Sequence, residues 1–330
     1  MASAQQKTLR VACYGGLFTE VTAKYAGTIF TQRTGIKIEW IDGNPSDHLA
    51  KMIASKGRAA PFDVAFYDEL VQDAAISAGV AAKIDPNIVT NLKYLYNEAK
   101  QKDGYGPAVN FWAVGVAYNT EIYKKNGIPE PTSWNDLWNP KLAGRIALPD
   151  ITQSTAKDLV IATARLLGGN EGKTDGAFEK LAEIKPFYFF RSSADLEAKI
   201  SAGEVWATVW NNGRANAMID KGVPLKFFYP KEGGFGHVTV VDVVAGSPNA
   251  TEAQQFINFL LDPVVQLGVA NEIPNGPTTK LLEPILEAYP QLSKRFPVAA
   301  DLKNLYIADP KVVNAAIPKW VEQWNRVVKR

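Results

Sequence analysis

His48, His237 and Cys13 are the side chains of this chain best suited to proton transfer, nucleophilic attack or soft-metal binding, and their spacing serves none of these. Neither histidine stands in a recognisable pairing with a serine, a cysteine or a carboxylate, so no nucleophile–base pair and no enzyme signature emerges. His237, in Gly234-Phe235-Gly236-His237, reads as a strand-edge residue, and His48 as part of a helix. A single cysteine allows no disulfide within the chain, and two histidines beside it are too few for a Cys/His zinc site. No cofactor and no metal are therefore expected. Gly168-Gly169-Asn170-Glu171-Gly172-Lys173-Thr174 contains the residue types of a phosphate-cradling loop. Leu167 stands where that loop needs its first glycine, however, and the segment follows a helix pattern rather than a strand, so it reads as a helix C-cap and loop. Arg10-Val11-Ala12-Cys13 has the cysteine of a lipid-attachment box, but Arg10 replaces an apolar residue and no apolar stretch precedes it, so Cys13 reads as a buried strand residue.

Binding suits the remaining polar and aromatic residues better than catalysis. Sheets of α/β proteins collect their ligands at the loop tips beyond strand C-terminal ends. In the first third of the chain those tips carry Tyr14-Gly15-Gly16, Asn44, Tyr67-Asp68 and Phe111-Trp112. Tyr14 and Tyr67 could clamp an alkyl chain or an ammonium face by burial and cation–π contact. Alternation along a strand sends Phe111 and Trp112 to opposite faces, so at most one of them reaches a ligand. Further along, the tips are Asp150 to Thr155, with Thr152 and Gln153, then Arg191-Ser192-Ser193, Trp210 to Arg214, and Asp242. A guanidinium pairs with a carboxylate through two parallel charge-assisted bonds, each worth roughly 1.5–3 kcal/mol. Arg214, with Arg191 in reserve, therefore offers a carboxylate fork, and Asp242 offers an acid for an ammonium; one acid and one fork suit a zwitterion.

The elements that would position these residues alternate at α/β spacing. Strand-like Thr8 to Tyr14, a helix from about Phe18 to Arg33, strand-like Lys37 to Ile41, a helix near Pro45 to Lys56 and strand-like Asp63 to Tyr67 make a βαβαβ start. A strand-rich run from Val109 to Tyr118 follows Tyr105-Gly106-Pro107. In Pro131 to Pro149, Thr132 or Ser133 caps a short helix with Trp134, Leu137 and Trp138 on one face, Pro140 stops it, and Gly144 turns the chain into a strand from Arg145 to Leu148. Later come a helix near Thr155 to Leu167, strands around Phe187 to Phe190 and Val205 to Trp210, and helices at Ala215 to Lys221, Thr251 to Leu261 and Val312 to Val328.

With 330 residues and 46% hydrophobic content, the chain exceeds the size at which one core divides, so two lobes are expected. Its 36 basic and 34 acidic residues are spread without long runs, which argues against a nucleic-acid groove or a polybasic membrane patch. No apolar run approaches the ~18 residues of a membrane span. The polar start, Met1 to Lys7, leads straight into a strand, as in a mature secreted protein restarted with Met.

Several segments, taken in order, resemble bacterial periplasmic solute-binding proteins of ABC transporters, in the spermidine/putrescine branch. They are Tyr14-Gly15-Gly16, Asp63-Val64-Ala65-Phe66-Tyr67, Val114-Gly115-Val116-Ala117-Tyr118-Asn119, Trp134-Asn135-Asp136-Leu137-Trp138-Asn139-Pro140, Ser201 to Gly213, and Ile273 to Lys280. The resemblance implies an α/β, type II periplasmic binding fold: two lobes joined by a two-strand hinge, with the ligand cleft between them. Lobe 1 would be discontinuous, residues 1–117 and 248–330, and lobe 2 would be residues 118–247. Ala117 to Thr120 and Val243 to Ser247 would absorb the closing rotation. It further implies a monomer in the periplasm that captures a small amino-bearing solute and docks transiently on an inner-membrane ABC permease. Polyamine-binding relatives carry acidic residues in the loop corresponding to Ile151 to Thr155, and a Trp and an Asp on the strand corresponding to Thr239 to Asp242. This chain keeps Asp242 but has Val240 in place of the Trp and no carboxylate from Ile151 to Thr155. That departure turns the expectation from putrescine or spermidine toward an ω-amino acid such as 4-aminobutyrate, which other members of the branch bind. Iron, the other option of the wider family, lacks the paired tyrosines it needs. Two rival classes share the cleft residues, a sensor ectodomain and an enzyme on the same two-lobe scaffold.

Overall fold

The computed structural model describes residues 6–100 and 102–329, so the polar start from Met1 to Gln5 lies outside the described residues. Its principal strands are β1 (Thr8–Cys13), β2 (Lys37–Asp42), β3 (Val64–Asp68), β4 (Ala108–Asn119), β5 (Ile146–Pro149), β6 (Tyr188–Phe190), β7 (Ala207–Asn211), β8 (Leu225–Phe228) and β9 (Phe235–Val244). Its main helices are α1 (Gly16–Thr22), α2 (Thr28–Thr34), α3 (Pro45–Ala54), α4 (Glu69–Ser77), α5 (Ser154–Leu166), α6 (Ala177–Ala182), α7 (Ser193–Ser201), α8 (Asn212–Asp220), α9 (Ala250–Leu260), α10 (Pro263–Glu272) and α11 (Pro310–Gln323). The chain divides into two compact units, Met1–Trp112 with Val238–Ala300, and Ala113–His237 with Asp301–Arg330.

Unit 1 is built on parallel β1, β2 and β3, with β9 antiparallel to β3 from Thr239 opposite Asp68 to Val243 opposite Val64. Every residue of β3 is buried, as a strand covered on both faces requires. Trp40 of β2 lies against Phe66 of β3 and Phe256 of α9, and Phe256 packs on Phe30 of α2 with ring centroids 5.1 Å apart. The helix predicted from Phe18 to Arg33 is present as α1 and α2 joined by a π-helical turn, Ala23–Gly27, with Gly35 in the left-handed conformation closing it.

Unit 2 places β5 between β6 and β7, all parallel, and β4 runs antiparallel to β7 from Val114 opposite Asn211 to Tyr118 opposite Ala207. Its core gathers Ala147, Phe190, Leu196, Ile200, Val205, Trp210, Ala215 and Met218. The segment from Pro131 to Pro149 folds as its sequence suggests: Ser133 and Asp136 form a capping box on a 3-10 turn, Trp134–Trp138, and Trp134 and Leu137 are buried.

The units divide elsewhere than expected. Ala117 and Tyr118 are paired with Thr208 and Ala207 inside unit 2, and Val243 is paired with Val64 inside unit 1. The divisions fall at 112/113 and 237/238, within β4 and β9. The C-terminal residues, assigned to lobe 1 from sequence, belong to unit 2 beyond Ala300. The reason is aromatic. Trp324 is fully buried against Phe189 at 5.5 Å, Tyr306 meets Phe235 edge to face at 5.4 Å and donates its hydroxyl to Glu171, and the Arg165 guanidinium lies 4.3 Å over the Tyr306 ring.

Candidate functional site

Each unit carries polar residues along the C-terminal edge of its parallel strands. In unit 1 the edge begins after β1, where Gly15 has φ 82°, a value that favours glycine and lets the chain turn sharply into α1. Tyr14 stands at that turn, its hydroxyl buried beside Thr239 and its ring edge-on to Phe18. Burial, with the Asp68 carboxylate nearby, pushes its phenol well above the ordinary value, so it stays a neutral hydroxyl. After β2, Asn44 caps α3 by accepting from the Ser46 amide at 2.9 Å. After β3, Asp68 caps α4 by accepting from the Val71 amide at 3.0 Å, and Glu69 accepts from the Val238 amide at 3.1 Å. Two adjacent carboxylates thus open α4, where the helix dipole favours anions. Glu69 was not foreseen from sequence, although an acid directly after a strand-end Asp was the available signal.

Tyr67 and Asp242 take other roles than the ones expected of them. Tyr67 is fully buried and donates its hydroxyl to Asp242 at 2.7 Å. Asp242, also fully buried, accepts further bonds from Gln72 Nε2 at 3.0 Å and from the Gly106 amide at 2.6 Å. Its lone pairs are thus engaged by three donors, and no surface is left for a ligand ammonium. Burial raises its carboxyl to about 6, and those three donors limit the rise. Gly106 is required there, because a Cβ would stand 1.8 Å from the Val241 carbonyl oxygen. Phe111 is fully buried in unit 1 beside Tyr96, while Trp112 is half-buried; of this pair only Trp112 keeps an accessible face.

In unit 2 the strand-end edge is formed by the loops after β5, β6 and β7. Asp150 follows β5 and is buried; its Oδ1 accepts from the Thr152 amide at 3.2 Å and hydroxyl at 2.9 Å, and its Oδ2 lies 2.5 Å from Lys329 Nζ. Burial opposes its ionisation, but Lys329 and Thr152 outweigh that and hold the carboxyl below its usual value. Arg191, after β6, is exposed with Nε 3.9 Å from Asp150 Oδ1, and its carbonyl accepts from Gln153 Nε2 at 2.9 Å. Ser192 is exposed and precedes α7 without a side-chain capping bond. Asn211 caps α8 through the Arg214 amide at 2.9 Å, and the Arg214 guanidinium pairs with Glu197 at 3.2 Å, its side chain only 10% exposed. Trp210, expected at the ligand, is instead buried in the unit 2 core.

Neither α5 nor α8 has an acid in its first turn, and each carries a buried cation there, Lys157 and Arg214. Lys157 was missed, since a lysine four positions into a helix ordinarily signals a solvated face. The sequence also left His237 and Asp158 unpaired, but they form a buried contact, His237 Nε2 to Asp158 Oδ2 at 2.8 Å. Cys13 is buried in β1 with its thiol pushed up to about 12 by burial, and Gly168 to Thr174 forms a turn closed by pairing of Asn170 with Lys173. Both match their sequence reading as structural segments. No group of three or more His, Cys, Asp or Glu poised for a metal occurs among the described residues.

The pattern of the bacterial extracellular solute-binding protein family matches residues 26–294. The spermidine/putrescine-binding periplasmic protein of Salmonella typhimurium is 29% identical over 77% of this chain and 75% of its own length. A gamma-aminobutyric acid-binding protein of Pseudomonas aeruginosa is 29% identical over 53% of this chain and 50% of its own. In structure, the chain is similar to the periplasmic binding protein AfuA of Actinobacillus pleuropneumoniae, with a TM-score of 0.82 at 22% identity, covering 98% of this chain and 99% of that one.

Proposed function

The chain belongs to the bacterial extracellular solute-binding proteins, binding components of ABC importers rather than enzymes, and on that premise we propose that its solute is a short zwitterionic ω-amino acid such as 4-aminobutyrate. The observation that carries this reading is the opposite charge of the helix starts beyond β3 in unit 1 and beyond β5 and β7 in unit 2. In unit 1, Asp68 and Glu69 open α4 and suit an ammonium. In unit 2, Lys157 and Arg214 sit in the first turns of α5 and α8, whose positive dipole ends suit a carboxylate. Asp150, after β5, is already paired with Lys329, while α7 after β6 carries Asp195 in its first turn. The acid expected to hold the ammonium thus moves from Asp242 to Asp68 and Glu69, while Arg214 keeps its proposed role. Tyr14 and Trp112 supply the aromatic contacts.

We propose further that the solute engages both edges, that ligand binding favours a closed form because the open form makes only one set of contacts, and that the closed form is presented to an inner-membrane permease from the periplasm. A polyamine is the second reading. It is favoured by the spermidine/putrescine-binding relative that aligns over most of this chain, and by the unit 1 acids. A thermal-shift screen of amino acids, polyamines, sugars and phosphonates tests the proposal, since a solute that binds only the native state raises the melting temperature. The reading expects 4-aminobutyrate and close homologues to give the largest shift; a larger shift from putrescine or spermidine replaces it with the polyamine reading.

A further inference from the structure

The pair between Asp150 and Lys329 joins two places that have no neighbourhood in sequence: the end of β5, on the strand-end edge of unit 2, and the far end of the C-terminal helical segment. Lys329 is held there by its surroundings. The π-helical turn Trp324–Val328 precedes it, Trp324 is buried on Phe189, and the Lys329 ammonium lies 5.9 Å from the centre of that same ring. The two partners differ in exposure, with 4% of the Asp150 side chain accessible against 35% for Lys329. A pair between two exposed chains would matter little, but a buried carboxylate strongly requires its cation. Arg191 Nε, at 3.9 Å, is a second cation on the same carboxylate.

We propose that Lys329 is a specificity-determining residue, an ammonium built into the chain that occupies Asp150 and so denies a diamine an acid at the end of β5. This inference rests on the zwitterion reading above. A solute ammonium reaching Asp150 has to displace Lys329 and exchange one charge-assisted bond for another, with no net gain. A solute carboxylate meets no uncompensated negative charge at Asp150, because the pair is neutral and Arg191 stands beside it. The device lets a site with one acidic and one basic edge reject molecules that differ from its solute by an ammonium in place of a carboxylate.

The test is calorimetric titration of 4-aminobutyrate and putrescine into the wild type, Lys329→Met, Lys329→Arg, and Lys329→Met combined with Asp150→Asn, each checked by melting temperature. Lys329→Met is expected to raise putrescine affinity about tenfold or more relative to 4-aminobutyrate, the change equivalent to one newly available charge-assisted bond. Lys329→Arg, which keeps the charge, retains the wild-type ratio, and the double variant loses the gain because the freed acid is gone. Carbon-detected titration of the Asp150 carboxyl in Lys329→Met is expected to move upward from its wild-type midpoint, a readout independent of any solute. A folded Lys329→Met that gains no putrescine affinity overturns the inference while leaving the zwitterion reading in place. A wild type that already prefers putrescine overturns both, since Lys329 would then exclude nothing.

Discussion

Asp242 has the residue type that a ligand ammonium needs and the surroundings of a structural carboxylate. Nothing local in Thr239-Val240-Val241-Asp242 distinguishes the two, because what decides is the arrival of Tyr67, Gln72 and the Gly106 amide from distant parts of the chain. Its consequence appears in stability rather than affinity. The folded carboxyl titrates near 6 against an ordinary 3.8, so between these values the folded state holds a proton that the unfolded state releases. Stability from this group is therefore greatest below the ordinary value and falls as pH rises to about 6, by on the order of 3 kcal/mol. Asp242→Asn lacks this titration. Urea unfolding of both proteins from pH 4 to pH 6.5 should show the variant gaining on the wild type by that order as pH rises. A constant difference across the range would mean that Asp242 is not the buried, raised carboxyl described. Asp68, at a helix start where its Oδ1 accepts from the Val71 amide, is assigned to the solute in the proposed reading, so its substitution is expected to weaken solute binding as well as the cap.

Among elements, local patterns were legible and long-range docking was not. The βαβαβ start, the capped turn at Ser133 and the helices near Thr155 and Thr251 were readable because alternation, caps and glycine stops act over a few residues. Strand-end positions therefore identified Tyr14, Asn44, Asp68, Thr152, Arg191 and Arg214 as edge residues, each of which lies at or just beyond the end of a parallel strand. Burial of Tyr67, Phe111 and Trp210 was not readable, since alternation says that two faces exist but not which one another element covers. The C-terminal helix shows the same limit: its period marks an apolar face, while only the fold brings Trp320 and Trp324 into unit 2. Trp324→Ala should accordingly cost about 3–5 kcal/mol in equilibrium unfolding, as for a large buried aromatic. A loss below about 1 kcal/mol would show that this segment is not docked as described.

For the whole molecule, the divisions at 112/113 and 237/238 fall within β4 and β9, and the proposed closing motion is expected to pivot there, next to Trp112 and His237. Hydrogen exchange should slow around Trp112 and Val238 when the solute binds, while Ala117 to Thr120 and Val243 to Ser247, held in ladders or just beyond them, change little. Protection changing at the latter segments instead would return the hinge to where the sequence first suggested it. The central claim is that the solute is recognised by an acid in one unit and a guanidinium fork in the other. Competition calorimetry with 4-aminobutyrate and putrescine, on the wild type, Arg214→Lys and Arg214→Ala, tests it most directly. The account predicts that the wild type prefers the amino acid and that Arg214→Lys weakens it, because lysine cannot reproduce the planar fork. Arg214→Ala should weaken it further, by roughly 1.5–3 kcal/mol in all, with diamine binding unchanged or improved. Tighter binding of putrescine or spermidine than of every amino acid, together with a folded Arg214→Ala that binds like the wild type, would contradict it.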